Sequence, residues 1–322
     1  MKKTWTIGGL QKQPNHNSSN GNGRRTNATC IGYSEIDKYA IQIYEKHFKH
    51  KNYGDCTKII PNKLPDFDLL VGGFPCQAFS IAGKRKGFND TRGTLFFDIA
   101  RILKHKRPRY LLLENVKGLL SHDEGKTFQT ILGVLTDLGY NVEWQVLNSK
   151  NFGVPQNRER VFIIGYIRGT SRPKVFLIGE DTGQVVKTVK RSKAIKSSAR
   201  GFGSSGSLVD KDDITPTLTT SMGTGGNNVP MVKPVLTPDR VKKRQNGRRF
   251  KEDGEPSFTL TGQDKHGIMI DTKIRRLTPT ECERLQGFPD GWTEGVSDTQ
   301  RYKTLGNAVT VNVIRAIMNK NN

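Results

Sequence analysis

Three continuous apolar runs constrain this chain most: Asp68-Leu69-Leu70-Val71-Gly72, Tyr110-Leu111-Leu112-Leu113-Glu114 and Val161-Phe162-Ile163-Ile164-Gly165. A strand that is apolar at every position, rather than at alternate ones, is covered on both faces, as central strands of layered α/β folds are. Helical patterns fall between the runs, near 95–106 and 125–138. Upstream, Ala28-Thr29-Cys30-Ile31-Gly32-Tyr33-Ser34 reads as another strand, followed by a helix over roughly 37–48 with Ile36, Tyr39, Ala40, Ile43 and Tyr44 on one side. This alternation predicts a doubly wound, Rossmann-like α/β domain with ligands at the carboxyl ends of its strands.

From about 169 to 270 the character changes. Gly, Ser, Thr and Lys dominate, apolar runs shorten and helical periodicity is lost. Two related phrases, Thr215-Pro216-Thr217-Leu218-Thr219-Thr220 and Pro256-Ser257-Phe258-Thr259-Leu260-Thr261, suggest a degenerate repeat of strand plus turn. A small, loop-rich β module inserted in the α/β domain is expected. Helical order returns at Thr278-Pro279-Thr280-Glu281, a capping box with proline at the first helical position. A last helix, about 308–319, carries Val309, Val313, Ile314 and Ile317 on one face. The expected division is 1–168, 169–271 and 272–322, the last segment returning to the first domain.

With 322 residues, 34% hydrophobic and 25% charged, the chain can bury a sizeable core and is not compositionally disordered. No apolar run approaches the roughly 20 residues of a membrane helix. The basic start Met1-Lys2-Lys3 leads into no apolar signal stretch, so a cytoplasmic location and no membrane partner are expected. Cys30, Cys56, Cys76 and Cys282 form no C-x-x-C pair and stand at no zinc spacing from a histidine. Neither a disulfide framework nor a metal is expected, which leaves a thiol free to react. The net charge is +22. It is clustered: Lys187, Lys190, Arg191, Lys193, Lys196 and Arg200 occur without an acid between them, and Lys and Arg are dense over 233–251. Release of counterions from phosphates makes nucleic acid the natural partner.

Taken singly, the candidate chemical residues are ambiguous. A cysteine just past a buried strand, as Cys76 is, is more often a small core residue than a nucleophile. Its neighbours change the balance, because a glycine-punctuated segment with Lys84, Arg85, Lys86 and Arg92 suits closure over an anionic substrate and favours a thiolate. Glu114 ends an apolar strand, where a carboxylate is costly unless paired or functional. Alternation places Gln156, Arg158 and Arg160 on one face ahead of the third run.

Together the motifs resemble a family. Gly73-Phe74-Pro75-Cys76-Gln77, Gly87-Phe88-Asn89-Asp90-Thr91-Arg92-Gly93, Glu114-Asn115-Val116, Gln156-Asn157-Arg158-Glu159-Arg160, Arg284-Leu285-Gln286-Gly287-Phe288-Pro289 and Gly306-Asn307-Ala308-Val309 follow the order of DNA cytosine-5 methyltransferases of bacterial and bacteriophage modification type. The resemblance covers about 28–168 and 272–318, and it makes 169–271 a target-recognition domain. It implies that Cys76 adds to cytosine C6, that Glu114 meets the N3 and N4 edge, and that Arg158 binds the O2 side with Arg160 in support. The methyl donor implied is S-adenosylmethionine, held by Gly8, Gly9, Glu35, Asp55, Pro75, Leu95, Asn307 and Val309, with no metal. Gln77, Ser80, Lys84, Arg85, Arg92 and Gln156 are assigned to double-stranded DNA, from which the target base must be flipped. A monomer is expected, and a cognate restriction endonuclease is the further partner such enzymes imply. The sequence departs from the family at the first cofactor motif. Thr4 and Thr6 replace the family's Phe and Gly, only Ile7-Gly8-Gly9 matches, and Gln13 to Arg25 cannot hold the helix that should follow. A catalytically impaired DNA-binding relative and an RNA methyltransferase are therefore the competing readings.

Overall fold

The computed structural model describes residues 7–12, 28–75, 95–170, 178, 232–239, 248–252, 254–270 and 273–319. In chain order the elements are β1 (Ile7–Lys12), β2 (Ala28–Ser34), α1 (Lys38–His47), β3 (Leu69–Gly73), α2 (Leu95–Lys106), β4 (Tyr110–Val116), α3 (Lys126–Asp137), β5 (Tyr140–Asn148) and β6 (Glu159–Ile167). They continue with β7 (Val232–Leu236), β8 (His266–Ile270), β9 (Lys273–Arg276), α4 (Pro279–Gln286), α5 (Asp298–Asn307) and α6 (Val311–Asn319).

Six strands form one sheet in the order β2-β1-β3-β4-β6-β5. The α/β class and Rossmann-like sheet agree with the sequence. The pairing is mixed: β3 and β4 run parallel, while β1 is antiparallel to both β2 and β3, and β6 is antiparallel to β4 and β5.

The apolar runs have the double-faced burial their composition demands. In β4, Leu111 and Leu113 enter a core with Phe96, Ile99 and Leu103 of α2 and Ile131 and Leu135 of α3. Leu112, between them, points to the other face and joins Phe162, Ile164, Val313 and Ile317 under α6. Helices therefore cover both sides, and the side-chain alternation of a strand divides one leucine run between two cores. A third cluster, Leu260, Ile268, Leu277, Cys282, Leu285 and Leu305, joins the segment beside β8 to α4 and α5.

Strands β7, β8 and β9 make a separate antiparallel sheet in that order. Of the two repeat phrases, residues 215–220 lie outside the described residues. The second contributes one bridge, Ser257 with Gln156, and is otherwise without regular secondary structure. The capping box is formed: the Glu281 amide donates to the Thr278 hydroxyl at 3.2 Å, and the Thr278 amide donates to the Glu281 carboxylate at 2.7 Å. The helix ends at Gly287, whose φ of 77° is the left-handed conformation that glycine adopts without penalty.

Candidate active site

The register gathers several chain segments at one edge of the large sheet. Gly73, the last residue of β3, lies opposite Glu114, and Val116 lies opposite Arg160 at the start of β6. Burial among its apolar neighbours leaves Glu114 9% exposed and pushes its carboxyl above the usual carboxylate range. The guanidinium of Arg160, with Nε 2.9 Å from Oε1, and the charge of Arg158 pull the other way. Arg160 thus supplies the partner that makes a carboxylate tolerable at this depth. Next along β4, the buried Asn115 donates its Nδ2 to the Phe74 carbonyl at 2.7 Å. That bond fixes the backbone two residues ahead of Cys76. Cys76 itself, with Gln77, Ser80, Lys84, Arg85 and Arg92, lies outside the described residues.

The three residues expected on one face separate. Gln156 has no exposed surface: its Nε2 donates to the Leu285 carbonyl at 2.8 Å, and its Oε1 accepts from the Leu260 amide at 2.9 Å. Gln156, assigned to DNA by the resemblance, here joins chain segments through these bonds. Arg158, 2% exposed, donates Nη1 to Leu260 O at 2.8 Å, and Nη2 to Gly306 O at 3.2 Å and Ala308 O at 2.7 Å. The guanidinium that meets Glu114 is that of Arg160, whereas that of Arg158 is bound to chain carbonyls. The cause is local. Residues 155–158 precede β6 and are held by Ser257 and Leu260, whereas Arg160 already sits in the β4–β6 ladder.

Around Gln156 and Arg158 lies a buried polar network that sequence patterning did not reveal. Gln286 donates to Leu305 O at 2.7 Å and accepts from the Thr310 hydroxyl at 2.8 Å, which in turn lies 2.8 Å from the Ser149 hydroxyl. Polar residues that ordinarily favour the surface are fully buried here because each binds a chain carbonyl or a hydroxyl. At Gly306 the backbones touch: a Cβ there would stand 2.3 Å from the Thr261 carbonyl carbon and 2.4 Å from Gly262 N. No other residue type fits.

His266 of β8 is buried beneath this seam, and burial holds its imidazole down at about 4 against an ordinary 6.5. The unfolded chain therefore takes up the proton first as the pH falls. The neutral imidazole stabilises the fold above about 6.5, and that contribution drains away between 6.5 and about 4. The expected loss is on the order of 3 kcal/mol. Urea titrations at pH 7 and pH 4.5 should show a larger drop for the wild type than for His266→Gln.

A cleft opens at the same edge beyond β2, lined by Ser34, Glu35, Ile36, Gly54, Asp55, Cys56 and Leu95. Three sequence-assigned cofactor residues, Glu35, Asp55 and Leu95, thus meet in one place. Glu35 is set by Asn52, which accepts from its amide at 3.2 Å and donates to its carbonyl at 3.1 Å. Asp55 caps the turn that follows, accepting from the Thr57 amide at 3.0 Å and hydroxyl at 2.8 Å. Two carboxylates flanking the apolar Ile36 and Leu95 suit an adenosine, whose ribose hydroxyls and amino group are donors and whose ring is apolar. Pro75 follows Phe74 at the end of β3, Asn307 ends α5, and Val309 packs against the core containing Leu112. None of these three lines the cleft. Helix α5 is drawn toward α1 by the ion pair of Lys303 with Asp37. Gly8 and Gly9 lie inside β1, paired on both sides, rather than in a turn.

Among the described residues no group of three or more His, Cys, Asp or Glu side chains could hold a metal ion, and no helix is long and apolar enough to cross a membrane.

The fold is that of a methyltransferase: the Dnmt2 methyltransferase of S. pombe superposes with a TM-score of 0.54 at 17% identity, over 90% of this chain and 89% of that one. The sequence goes further. Residues 20–321 match the model of the C-5 cytosine-specific DNA methylases, and the chain belongs to that family. It is 35% identical to the orphan methyltransferase M.SPRI of Bacillus phage SPR, over 89% of this chain and 90% of the relative. It is 42% identical to the type II methyltransferase M1.ScrFI of Lactococcus lactis subsp. cremoris, over 89% of this chain and 70% of the relative. Membership makes it a DNA cytosine methyltransferase and implies S-adenosylmethionine as methyl donor and DNA as substrate.

Proposed function

We propose that this chain methylates C5 of a cytosine flipped from duplex DNA, with Cys76 as the nucleophile. The observation that carries the reading is the Glu114–Arg160 pair, set opposite Gly73 and three residues from Cys76, at the sheet edge shared with the Glu35–Asp55 cleft.

The target carbon is a poor nucleophile until C6 is substituted. Cys76 Sγ, as thiolate, adds to C6, and Glu114 places a proton at N3, so that the ring becomes an enamine with electron density at C5. A carboxyl whose burial favours its protonated form is suited to that proton. Arg160, paired with Glu114, steadies the O2 side of the base, while Arg158 holds the chain around it. Glu35, Asp55 and Leu95 would hold S-adenosylmethionine, which supplies an electrophilic methyl group when bound. C5 takes up that methyl group as the methyl's bond to the donor sulfur breaks; the C5 proton then passes to solvent, Cys76 Sγ leaves C6 as thiolate and the N3 proton returns to Glu114, which restores the aromatic ring. A duplex hides the target atom, so flipping precedes these steps.

The orphan and type II character of the relatives supports a role in restriction–modification or phage anti-restriction. Tritium transfer from labelled donor to duplex DNA, with transfer RNA in parallel, tests the substrate. Label is expected in the duplex, and label confined to the RNA would contradict the reading.

A further inference from the structure

We propose that Arg101 is a positioning residue for methyl-donor binding, which sets the separation between the two walls of the cleft beyond β2. The inference rests on the cofactor reading of that cleft and adds the residue that holds it to width.

One wall is the segment Gly54-Asp55-Cys56, and the other begins at Leu95, the first residue of α2. Cys56 opens a single 3-10 turn, Cys56–Lys58. A turn of three residues has few bonds of its own to fix its direction, so its placement depends on what grips it from outside.

Arg101 supplies that grip from α2. Its Nη1 donates to Ile59 O at 2.5 Å, and its Nη2 donates to Cys56 O at 3.1 Å and Thr57 O at 3.4 Å. Nη2 also lies 3.1 Å from Asp98 Oδ1 on its own helix. The planar guanidinium thus ties three carbonyls of one wall to the helix of the other in a rigid fork. The charges act in the same direction. Burial pushes the Asp98 carboxyl up and Arg101 pulls it down, while the charge of Asp55, on the opposite wall, pushes it up further. The guanidinium therefore offsets a repulsion between the walls as well as bonding them.

A brace of the same kind away from the cleft provides the comparison. Lys106, at the end of α2, donates to the Leu64 carbonyl at 2.9 Å and pairs with Asp66. Neither Leu64 nor Asp66 lines the cleft. Cys56, Ile59 and Phe67 anchor this whole segment in the core whichever brace is removed. Loss of either brace costs stability, but only loss of Arg101 widens the cleft.

Equilibrium dialysis of the full chain with labelled S-adenosylhomocysteine, beside steady-state kinetics on duplex DNA, tests this. Arg101→Ala is expected to raise the Kd for S-adenosylhomocysteine and the KM for S-adenosylmethionine about tenfold, roughly the worth of one charged hydrogen bond, with kcat within about twofold. Arg101→Lys should raise the Kd about threefold, since an ammonium cannot span three carbonyls. Lys106→Met should lower the urea midpoint and leave the Kd within about twofold. An unchanged Kd in both Arg101 variants, or an equal rise in Lys106→Met, overturns the inference and leaves the cofactor reading standing. Should Arg101→Ala not fold, Arg101→Lys decides on the same terms. A wild-type chain that retains no S-adenosylhomocysteine overturns the cofactor reading as well.

Discussion

Replacing Cys76 by serine is expected to reduce methyl transfer by at least about a thousandfold while duplex affinity stays within about twofold. The serine hydroxyl ionises far above neutral pH, so no comparable nucleophile reaches C6, and the ring never acquires the electron density that C5 needs. Affinity survives because most of it comes from phosphate contacts made by a chain of net charge +22. Initial rates of tritium incorporation, set beside filter binding of the same duplex, separate the two quantities. A variant with near-normal turnover would remove Cys76 from the mechanism.

Arg158→Ala and Arg160→Ala are expected to fail in different ways. Arg158 satisfies the carbonyls of Leu260, Gly306 and Ala308 in a fully enclosed seam. Its loss should cost about 3 kcal/mol or more of stability, because buried carbonyls left without donors carry their whole desolvation cost. Arg160 lies closer to the chemistry. Removing it takes away the charge that opposes burial at Glu114, so the Glu114 carboxyl rises further from its ordinary range. Turnover should fall by about a hundredfold or more, through the lost stabilisation of the reacting base. The expected pattern is a folded, DNA-binding, slow Arg160→Ala and a destabilised Arg158→Ala. Urea midpoints and single-turnover rates on both variants show which holds. A stable Arg158→Ala with abolished turnover, beside an active Arg160→Ala, would return the base-binding role to Arg158.

The central sheet was legible because β4 and β6 are buried on both faces, β3 packs Leu70 on one core and Leu69 and Val71 against the other, and their composition says so. Strand β5 was not, since at the sheet's edge only Tyr140 and Leu147 are buried, most of its residues are half-buried and Trp144 is left 46% exposed. Helix α5 escaped for a similar reason: only Leu305 and Gly306 are buried, so no apolar stripe marks it. At the site, Glu114 announced itself as a carboxylate ending an apolar run. The division of labour between Arg158 and Arg160 could not be read from alternation, because period-two facing assumes a strand. Residues 155–158 are instead bent into contact with Ser257 and Leu260, a hundred residues along the chain. The Gln156–Gln286–Thr310 network depends on the same long-range packing. The glycine pair of β1 was recognisable as a motif fragment, yet strand direction is set by pairing partners, and sequence periodicity is silent about direction.

The most direct test of cytosine-5 methylation is bisulfite sequencing of DNA from cells expressing this chain, with Cys76→Ser expressed in parallel. Cytosines protected from conversion at one short recurring sequence are predicted for the wild type, with none for the variant. Full conversion of every cytosine in both, with the protein present and folded, would contradict the assignment of this chain as a working DNA cytosine-5 methyltransferase.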